Sequence, residues 1–213
     1  TFVGNAAHAG LSAPLDPTPT AARGGAIASA AGLFDVAFTT FANNASQREL
    51  LDLLATTSGG ALYLTPATPQ LIDYRLFASL LSGNSADLGG DCARNGILVT
   101  GQSLFDTSND RTDCSGTAAT NVVTTTSLGT LADNGGETQT VRFAPASPAL
   151  NHVPTVDCDD AGGFDQRGFQ RPSGAACDIG ALELENLSLD IDGPTAHVIP
   201  AGATAPQTVT MTW

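Results

Sequence analysis

Acidic side chains gather in two short stretches, and these are the residues whose types could bind a metal or act on a glycan. Asp106 and Asp110 lie in one stretch, and Asp157, Asp159 and Asp160 lie in the other. Oxygen ligands from loops are those that Ca²⁺ prefers. Neither stretch follows the EF-hand spacing or the glycine-rich nonapeptide calcium pattern. We therefore expect solvated turns at both places, with Ca²⁺ as the alternative and no other cofactor.

Catalytic chemistry has little support in the sequence. A glycoside hydrolase needs two carboxylates that face a cleft. The second acidic stretch is interrupted by Cys158 and followed by glycines, which is typical of a turn. The three histidines, His8, His152 and His197, have no GxSxG or comparable partner motif. We therefore assign no catalytic residue and predict that the protein is not an enzyme.

The four cysteines favour disulfide chemistry over metal binding. Three pairings are formally possible, and the one local in sequence joins Cys92 to Cys114 and Cys158 to Cys177. Each bond would close a loop of about 20 residues and stabilise the fold by roughly 3 kcal/mol. A metal site is the alternative, but the sequence has no CxxC or HxxxH spacing. Disulfides imply an oxidising compartment outside the cytoplasm.

The charge of the chain excludes two classes of partner. Its 21 acidic residues outnumber 8 basic ones, all of them arginine, and the formal net charge is −13. Such a surface repels nucleic acid and anionic lipid headgroups. No run approaches the ~18 apolar residues of a membrane span. The chain opens at Thr1 inside a structural pattern and without a signal peptide, so we expect a mature or excised segment of a longer precursor.

Two motifs alternate along the first part of the chain. An apolar residue followed three positions later by asparagine occurs at Phe2 and Asn5, at Phe41 and Asn44, and at Leu81 and Asn84. A pair of glycines follows each copy, at Gly24 and Gly25, at Gly59 and Gly60, and at Gly89 and Gly90. The asparagines are 39 and 40 residues apart. The strict alternation indicates an internal structural repeat.

The residues between these motifs favour short β-strands. Apolar and polar residues alternate in Leu33–Phe38, Ala61–Thr65 and Leu71–Phe77, as in strands with one buried face. The glycine pairs provide corners that a Cβ would obstruct. Each motif asparagine suits either a left-handed backbone or a ladder of stacked amides. Only Gln47–Ala55 has helical periodicity and predicts a short helix. Together these features predict an all-β solenoid.

Two sets of motifs resemble known families of bacterial surface proteins. The alternating FxxN and GGA(I/L) motifs resemble those of chlamydial-type polymorphic outer-membrane proteins. A later set resembles the C-terminal part of choice-of-anchor Q domain proteins, which are secreted bacterial polypeptides with a pectin-lyase-like fold. That set consists, in order, of LADNGGETQT from Leu131, SPALN from Ser147, DQRG from Asp165, RP at Arg171 and CDIGALE from Cys177. The resemblance covers residues 1 to about 185.

This resemblance implies a right-handed parallel β-helix over residues 1–184, exported and displayed at the surface of a bacterium. It implies no established enzyme activity. Polysaccharide lyases of this fold use a Lys or Arg base with bound Ca²⁺, but the chain has no lysine. Arg167 and Arg171 lie within the family motifs, where we expect them to pair with Asp165 or Asp178 and hold the C-terminal loops. The chain departs from the family in having only about three repeats and no N-terminal cap.

Residues 185–213 differ from the rest of the chain. Leu187–Asp192 and Val209–Trp213 alternate like strands and resemble the start of an immunoglobulin-like module. Two strands are too few for a stable sandwich. We therefore expect a structural or adhesive surface protein that assembles head to tail into a fibre, or that binds other envelope proteins or glycans. The alternative is a polysaccharide-binding or polysaccharide-processing domain of pectin-lyase-like fold.

Overall fold

The computed structural model describes residues 1–9, 20–30, 34–49, 55–65, 74–95, 98–106, 114 and 118–185. Regular structure in these ranges is almost entirely β-strand, with one 3₁₀-helix at Thr155–Ala161. The all-β class predicted from the sequence is confirmed. No helix in these ranges has the length and apolar character needed to cross a membrane. The tail beyond Glu185 lies outside the described residues, so the division of the chain there stays a prediction.

The strands are short, and the described ranges contain seventeen of them. In chain order they are β1 (Phe2–Val3), β2 (Ala6–Ala9), β3 (Ala21–Arg23), β4 (Ile27–Ser29), β5 (Phe34–Ala37), β6 (Thr40–Ala42), β7 (Ala45–Arg48), β8 (Thr56–Ser58), β9 (Leu62–Leu64), β10 (Tyr74–Phe77), β11 (Leu80–Ser82), β12 (Cys92–Arg94), β13 (Leu98–Gly101), β14 (Leu104–Phe105), β15 (Val122–Val123), β16 (Leu128–Ala132) and β17 (Thr140–Phe143). The strands predicted around β5, β9 and β10 are confirmed in their described parts.

These described strands form six small, separate sheets. The largest has the order β1-β6-β11-β14-β15, and two three-stranded sheets have the orders β13-β10-β5 and β12-β9-β4. The two-stranded sheets are β2-β7, β3-β8 and β16-β17. Every pairing is parallel except that of β16 with β17, which is antiparallel. Each parallel pair therefore joins segments that are distant in sequence.

Equivalent residues of successive repeats lie side by side in the five-stranded sheet. Phe2 pairs with Phe41, Phe41 with Leu81, Leu81 with Phe105, and Phe105 with Val123. We use these five residues to number the repeats from first to fifth. Because equivalent side chains of paired strands share one face of a sheet, the row forms a continuous line of apolar residues.

The glycine pairs form the corners that the sequence predicts. The backbone angle φ is +64° at Gly24, +65° at Gly59 and +61° at Gly89, a region that side chains disfavour. The second glycine of the first two pairs lies against the next repeat, Gly25 against Gly60 and Gly60 against Gly90. A Cβ added to Gly60 would lie 2.1 Å from the carbonyl oxygen of Gly90. The repeats therefore approach each other here with backbone against backbone.

The helix predicted for Gln47–Ala55 is wrong at its start. Gln47 and Arg48 belong to β7, which pairs in parallel with β2, and residues 50–54 lie outside the described ranges. The pairing places Gln47 beside His8 and Arg48 beside Ala9. Strand pairing with the neighbouring repeat thus overrides the local helical periodicity.

Two apolar cores lie on opposite faces of the five-stranded sheet. One contains Leu81 together with Phe41, Phe105, Leu62, Leu64, Tyr74, Leu76 and the pair Cys92 and Cys114. The other contains the adjacent Leu80 together with Phe38, Leu104, Phe143, Val153, Ile179 and the pair Cys158 and Cys177. Successive residues of β11 therefore point into different cores, and both faces of this strand are buried.

Residues 128–185, which we call the C-terminal segment, run across the repeats instead of adding to their stack. The amino group of Thr1 donates to Oε1 of Gln166 at 2.6 Å, and the N–H of Ala181 donates to Oγ1 of Thr40 at 3.0 Å. Further along, the N–H of Gly180 donates to the carbonyl of Ala78 at 2.8 Å, and Nε2 of His152 lies 3.1 Å from the carbonyl of Thr120. These contacts lie at or beside β1, β6, β11 and β15, so one segment holds four of the five repeats.

Replacing Thr40 with valine is expected to lower the free energy of unfolding by about 1–3 kcal/mol, because the buried N–H of Ala181 would lose its acceptor. Valine keeps the shape of threonine, so packing should change little. Urea unfolding checks the value. The control is Thr138→Val, which removes an exposed hydroxyl that accepts from Gln166 and should change stability by no more than about 0.5 kcal/mol. Equal losses in both variants would contradict the prediction.

Candidate functional site

An amide ladder connects the motif asparagines of the first three repeats. Nδ2 of Asn5 donates to Oδ1 of Asn44, and Nδ2 of Asn44 donates to Oδ1 of Asn84, both at 2.9 Å. Nδ2 of Asn84 then donates to Oδ1 of Asp91, also at 2.9 Å. The ladder predicted from the sequence is confirmed. The left-handed alternative is wrong for the ladder residues, because positive φ falls one residue earlier, as at Asn43.

The ladder has a direction. Oδ1 of Asn44 accepts the backbone N–H of Asn5 at 3.1 Å, and Oδ1 of Asn84 accepts that of Asn44 at 2.9 Å. The remaining Nδ2 proton of Asn44 goes to the carbonyl of Phe2 in the preceding repeat at 3.1 Å. Asn44, Asn84 and Asp91 are fully buried, whereas Asn5 is exposed. The ladder therefore has one exposed end and one buried end.

Asp91 was missed as a ladder residue, although the sequence carries a signal for it. The first two glycine pairs are followed by Ala26 and Ala61, and the third is followed by Asp91. A carboxylate accepts hydrogen bonds but donates none when ionised. Among the described residues, Asp91 is the last member of the ladder.

The exposed end of the ladder lies in a groove of about 340 Å³ beside β1, which we call the first-repeat groove. Its floor includes Phe2 and Asn5, and its wall is formed by the C-terminal segment through Leu131, Thr138 and Gln166. The ring of Phe2 stacks on that of Phe41, with centroids 5.1 Å apart and an interplanar angle of 8°. Phe2 nevertheless remains 39% exposed, and Leu131 42% exposed. The groove thus combines apolar surface with amide groups.

A buried ionic cluster lies inside the C-terminal segment and consists of Asp165, Arg167, Arg171, Asp178 and Glu183. Arg167 pairs with Asp165 at 2.8 Å, as predicted, and both side chains are almost completely buried. Arg171 pairs with Glu183 at 2.6 Å and donates to the backbone carbonyl of Asp178. The predicted pairing of Arg171 with an aspartate carboxylate is therefore corrected. No separate signal points to Glu183, which is the last residue of the CDIGALE motif.

Two carboxyl groups of this cluster have opposite pKa shifts. Burial raises the pKa of Asp178 to about 6, against the hydrogen bonds from the N–H groups of Asn151 and Leu184. Burial also opposes ionisation of Asp165. The effect of burial is outweighed by hydrogen bonds from the N–H of Glu183, the guanidinium of Arg167 and further backbone donors. These hydrogen bonds hold the pKa of Asp165 below its usual value. Asp178 therefore binds a proton more tightly in the folded protein, and Asp165 less tightly.

Acidification through about pH 6 is expected to increase the contribution of Asp178 to stability. Because its pKa is raised on folding, the folded protein binds more protons than the unfolded chain between about pH 4 and pH 6, and stability rises as pH falls through that window. Asp165 acts in the opposite sense, but its contribution is lost only below its unfolded pKa of about 4. The Tm of the protein minus that of Asp178→Asn should therefore increase from about pH 7.5 to pH 5. A difference independent of pH would contradict the prediction.

Both disulfides join cysteines that are close in sequence. Cys92 bonds to Cys114 with their Cα atoms 5.6 Å apart, and Cys158 bonds to Cys177 with their Cα atoms 5.9 Å apart. The first contributes to the core of the repeats, and the second to the core beneath the C-terminal segment. All four cysteines lie in the described ranges, and each is in a disulfide and so not free to bind a metal. The disulfides suit an oxidising, extracellular setting.

The second acidic stretch is solvated as we expected, since Asp159 and Asp160 are exposed and Asp157 is half-buried, but the first contains a buried carboxylate. Asp106 is only 6% exposed and accepts a hydrogen bond from the hydroxyl of Ser82 at 2.6 Å. Asp157, Asp159 and Asp160 lie on the 3₁₀-helix, and Asp160 pairs with Arg75. Asp110 lies outside the described residues. Among the residues that the structure describes, no group of three His, Cys, Asp or Glu side chains could hold a metal ion. Calcium binding stays the alternative prediction.

Comparison with known proteins does not identify a family. No family model, no curated protein sequence and no solved structure matches this chain, so the resemblance to choice-of-anchor Q domain proteins stays a prediction.

Proposed function

We propose that the repeats are successive coils of a right-handed parallel β-helix. Parallel pairing of β1, β6, β11, β14 and β15 in one constant register supports this arrangement. The Asn ladder supports it too, because stacked amides require equivalent residues at one height in successive coils. The right hand follows from the strong preference of parallel strand connections for that hand.

This β-helix serves as a structural or adhesive element of an exported bacterial surface protein. The observation that carries the proposal is the set of hydrogen bonds that the buried polar side chains make. The side chains of the ladder and of the ionic cluster bond to one another and to the backbone, and so hold repeats and C-terminal segment together. Buried networks of this kind rigidify a fold. The two disulfides and the net charge of −13 suit the oxidising exterior of a cell.

The protein works by end-on assembly of coils. Within the described residues, the five-stranded sheet ends in β1 on one side and β15 on the other, and Phe2 and Val123 on these strands are 39% and 43% exposed. Edge strands present unpaired backbone groups to a further strand. A head-to-tail fibre of identical copies would pair β15 of one copy with β1 of the next.

Electron microscopy with light scattering on protein isolated from its native cell surface tests this proposal. Rods or fibres with a uniform width are the expected result, because coils that stack end to end extend in one direction. Particles that remain compact and dispersed at high concentration would overturn end-on assembly. Binding of those particles to glycans would then favour the polysaccharide-binding alternative.

A further inference from the structure

We propose that a groove on the side of the repeats, which we call the lateral groove, binds a neutral oligosaccharide through pairs of adjacent hydroxyl groups. The groove has a volume of about 560 Å³, and its lining residues include Ser46, Arg48, Thr57, Ser85 and Asp87. These residues belong to β7, β8 and the third repeat, and not to β1 or β15, the described ends of the five-stranded sheet. The inference therefore goes beyond end-on assembly and does not depend on it.

The lateral groove arises because one part of the repeat differs in length between repeats. The part that runs from the ladder asparagine to the glycine pair covers residues 6–23 in the first repeat, 45–58 in the second and only 85–88 in the third. In the first two repeats it provides strands that pair as β2 with β7 and β3 with β8. In the third repeat, the structure describes only single bridges to β7 and β8. The two sheets therefore end in a step, and solenoids often bind ligands on the face where such insertions gather.

Small side chains fill the space between the two narrow sheets. Ala9 of β2, Ala22 of β3 and Ala55 beside β8 pack together and are buried. Ser46 of β7 and Thr57 of β8 are buried as well, and both line the lateral groove. The groove is therefore the place where the space between the sheets reaches the surface, at the step.

The hydroxyl groups at the base of the groove already have partners. The hydroxyl of Ser46 donates to the carbonyl of Ser58 at 3.2 Å, and that of Thr57 accepts the N–H of Asp87 at 2.7 Å. These bonds hold β7, β8 and the third repeat in place. Recognition of a ligand therefore falls to the side chains around the rim.

Arg48 and Asp87 form the rim of the lateral groove. Nη1 of Arg48 lies 3.7 Å from Oδ2 of Asp87, and the two side chains are 43% and 47% exposed. This distance is longer than that of a hydrogen bond, so the two groups attract each other by charge while both retain hydrogen-bonding positions. The guanidinium donates hydrogen bonds, and the carboxylate accepts them. The exposed amide of Gln47 adds both kinds of group to the same groove.

The chemistry of the rim matches a diol. A hydroxyl group both donates and accepts, so one hydroxyl of an adjacent pair accepts from Arg48 while the other donates to Asp87. Sugars carry such pairs on each ring. The two charges of the rim balance, and the chain has a net charge of −13, so an anionic sugar gains no attraction. The volume of about 560 Å³ lies within the range of about 300–1,000 Å³ that is usual for small-molecule sites. A short neutral oligosaccharide therefore fits the groove in size, charge and hydrogen bonding.

A peptide strand fits the groove less well. Strand addition depends on main-chain hydrogen bonds along an edge. β7 has four residues and β8 has three. On the side of the third repeat, the N–H of Ser46 already donates to the carbonyl of Ser85, and the carbonyl of Thr57 already accepts the N–H of Leu88. The edge that remains is too short to align a further strand, so the side chains of the rim favour a saccharide.

Saturation-transfer-difference NMR with the 213-residue protein tests the inference. The probes are neutral tetrasaccharides of β-linked glucose, mannose and galactose, and an anionic tetrasaccharide of α-linked galacturonate. We expect at least one neutral probe to bind with a Kd of about 1 mM, the strength that a few hydrogen bonds at a solvated rim provide. The galacturonate probe should bind at least about tenfold more weakly, because its carboxylates meet no unbalanced positive charge.

Variants of the rim assign the bound probe to the lateral groove. Arg48→Met removes the donor and Asp87→Ala removes the acceptor, and each should lower the affinity of the neutral probe by about fivefold or more. Both side chains are solvated, so the Tm should change little. The matched control is Arg75→Met. Arg75 pairs with Asp35 at 3.1 Å and is 32% exposed, but it does not line the groove, so this variant should bind the probe unchanged.

Three results would overturn the inference. They are absence of binding by all three neutral probes, equal binding of the galacturonate probe, and unchanged binding in Arg48→Met and Asp87→Ala, which would place the sugar elsewhere. Binding of a capped peptide of alternating threonine and valine instead would identify a strand as the occupant and overturn it too. Rods in native material without saccharide binding would leave end-on assembly standing, whereas bound saccharide with dispersed particles would reject end-on assembly alone.

Discussion

Replacing Arg171 with methionine is expected to lower the free energy of unfolding by about 3–5 kcal/mol, because a buried carboxylate would lose its counter-charge. The guanidinium donates to Glu183 at 2.6 Å, to the carbonyl of Asp178 at 3.0 Å and to that of Gly180 at 2.7 Å. It also lies over the ring of Phe38, 4.6 Å from its centroid. The substitution therefore removes a charge, several hydrogen bonds and a contact between the C-terminal segment and the second repeat. Urea unfolding measures the loss.

Arg75 offers a matched control for this experiment. It pairs with Asp35 at 3.1 Å and lies 4.6 Å from the ring centroid of Phe77, but its side chain is 32% exposed. Arg75→Met should cost no more than about 1 kcal/mol, as is usual for solvated ion pairs. Adding Glu183→Gln to Arg171→Met should recover part of the loss, because the uncompensated charge is removed. Similar losses of unfolding free energy in Arg171→Met and Arg75→Met would contradict the prediction that burial determines the size of the effect.

Replacing Asn84 with aspartate is expected to destabilise the protein by about 3–5 kcal/mol at neutral pH, because it places a second buried carboxylate against Asp91. The new side chain keeps an acceptor for Asn44 but loses the donors that reach Asp91 at 2.9 Å and the carbonyl of Phe41 at 3.1 Å. Two carboxylates in contact do not both ionise readily, so one pKa must rise. Below about pH 5 a shared proton should restore one hydrogen bond and part of the stability.

The same change at the exposed end of the ladder isolates the effect of burial. Asn5→Asp also removes the donor to Asn44 and adds a negative charge, but water solvates it. A loss of about 1 kcal/mol with little dependence on pH is expected. Thermal unfolding of both variants at several pH values gives the comparison. A loss for Asn84→Asp that does not decrease on acidification would show that the two carboxylates are not in contact.

Features that depend on identical residues in successive repeats could be predicted from the sequence. The Asn5, Asn44 and Asn84 ladder and the glycine corners are of this kind, because stacking places like residues together and their spacing in the chain reveals it. The local disulfide pairing depends on proximity in sequence and could be proposed for that reason. Both features show in the spacing of residues along the chain, so a single sequence is enough to predict them.

Features that depend on contacts between unlike residues, which only the fold brings together, could not be predicted. Asp165 and Asp178 were the expected partners of Arg171, and only the folded loop places the carboxylate of Glu183 against its guanidinium. Asp106 was expected in a solvated turn, but Ser82 from the neighbouring repeat lies beside it in a buried position. The wall of the first-repeat groove has the same origin, since Leu131 and Phe2 are far apart in the chain. Nothing in their local sequence indicates that they meet.

The crossing of the repeats by the C-terminal segment affects how the protein reaches its native state. Simple repeat arrays contact only their neighbours, so they can fold locally and fray from an end. Here Ala181 bonds to Thr40 across 141 residues, and Thr1 bonds to Gln166 across 165. Contacts of such high contact order slow folding and couple the repeats into one cooperative transition. The earliest repeats therefore cannot become fully protected from proteases until almost the whole described chain has been synthesised.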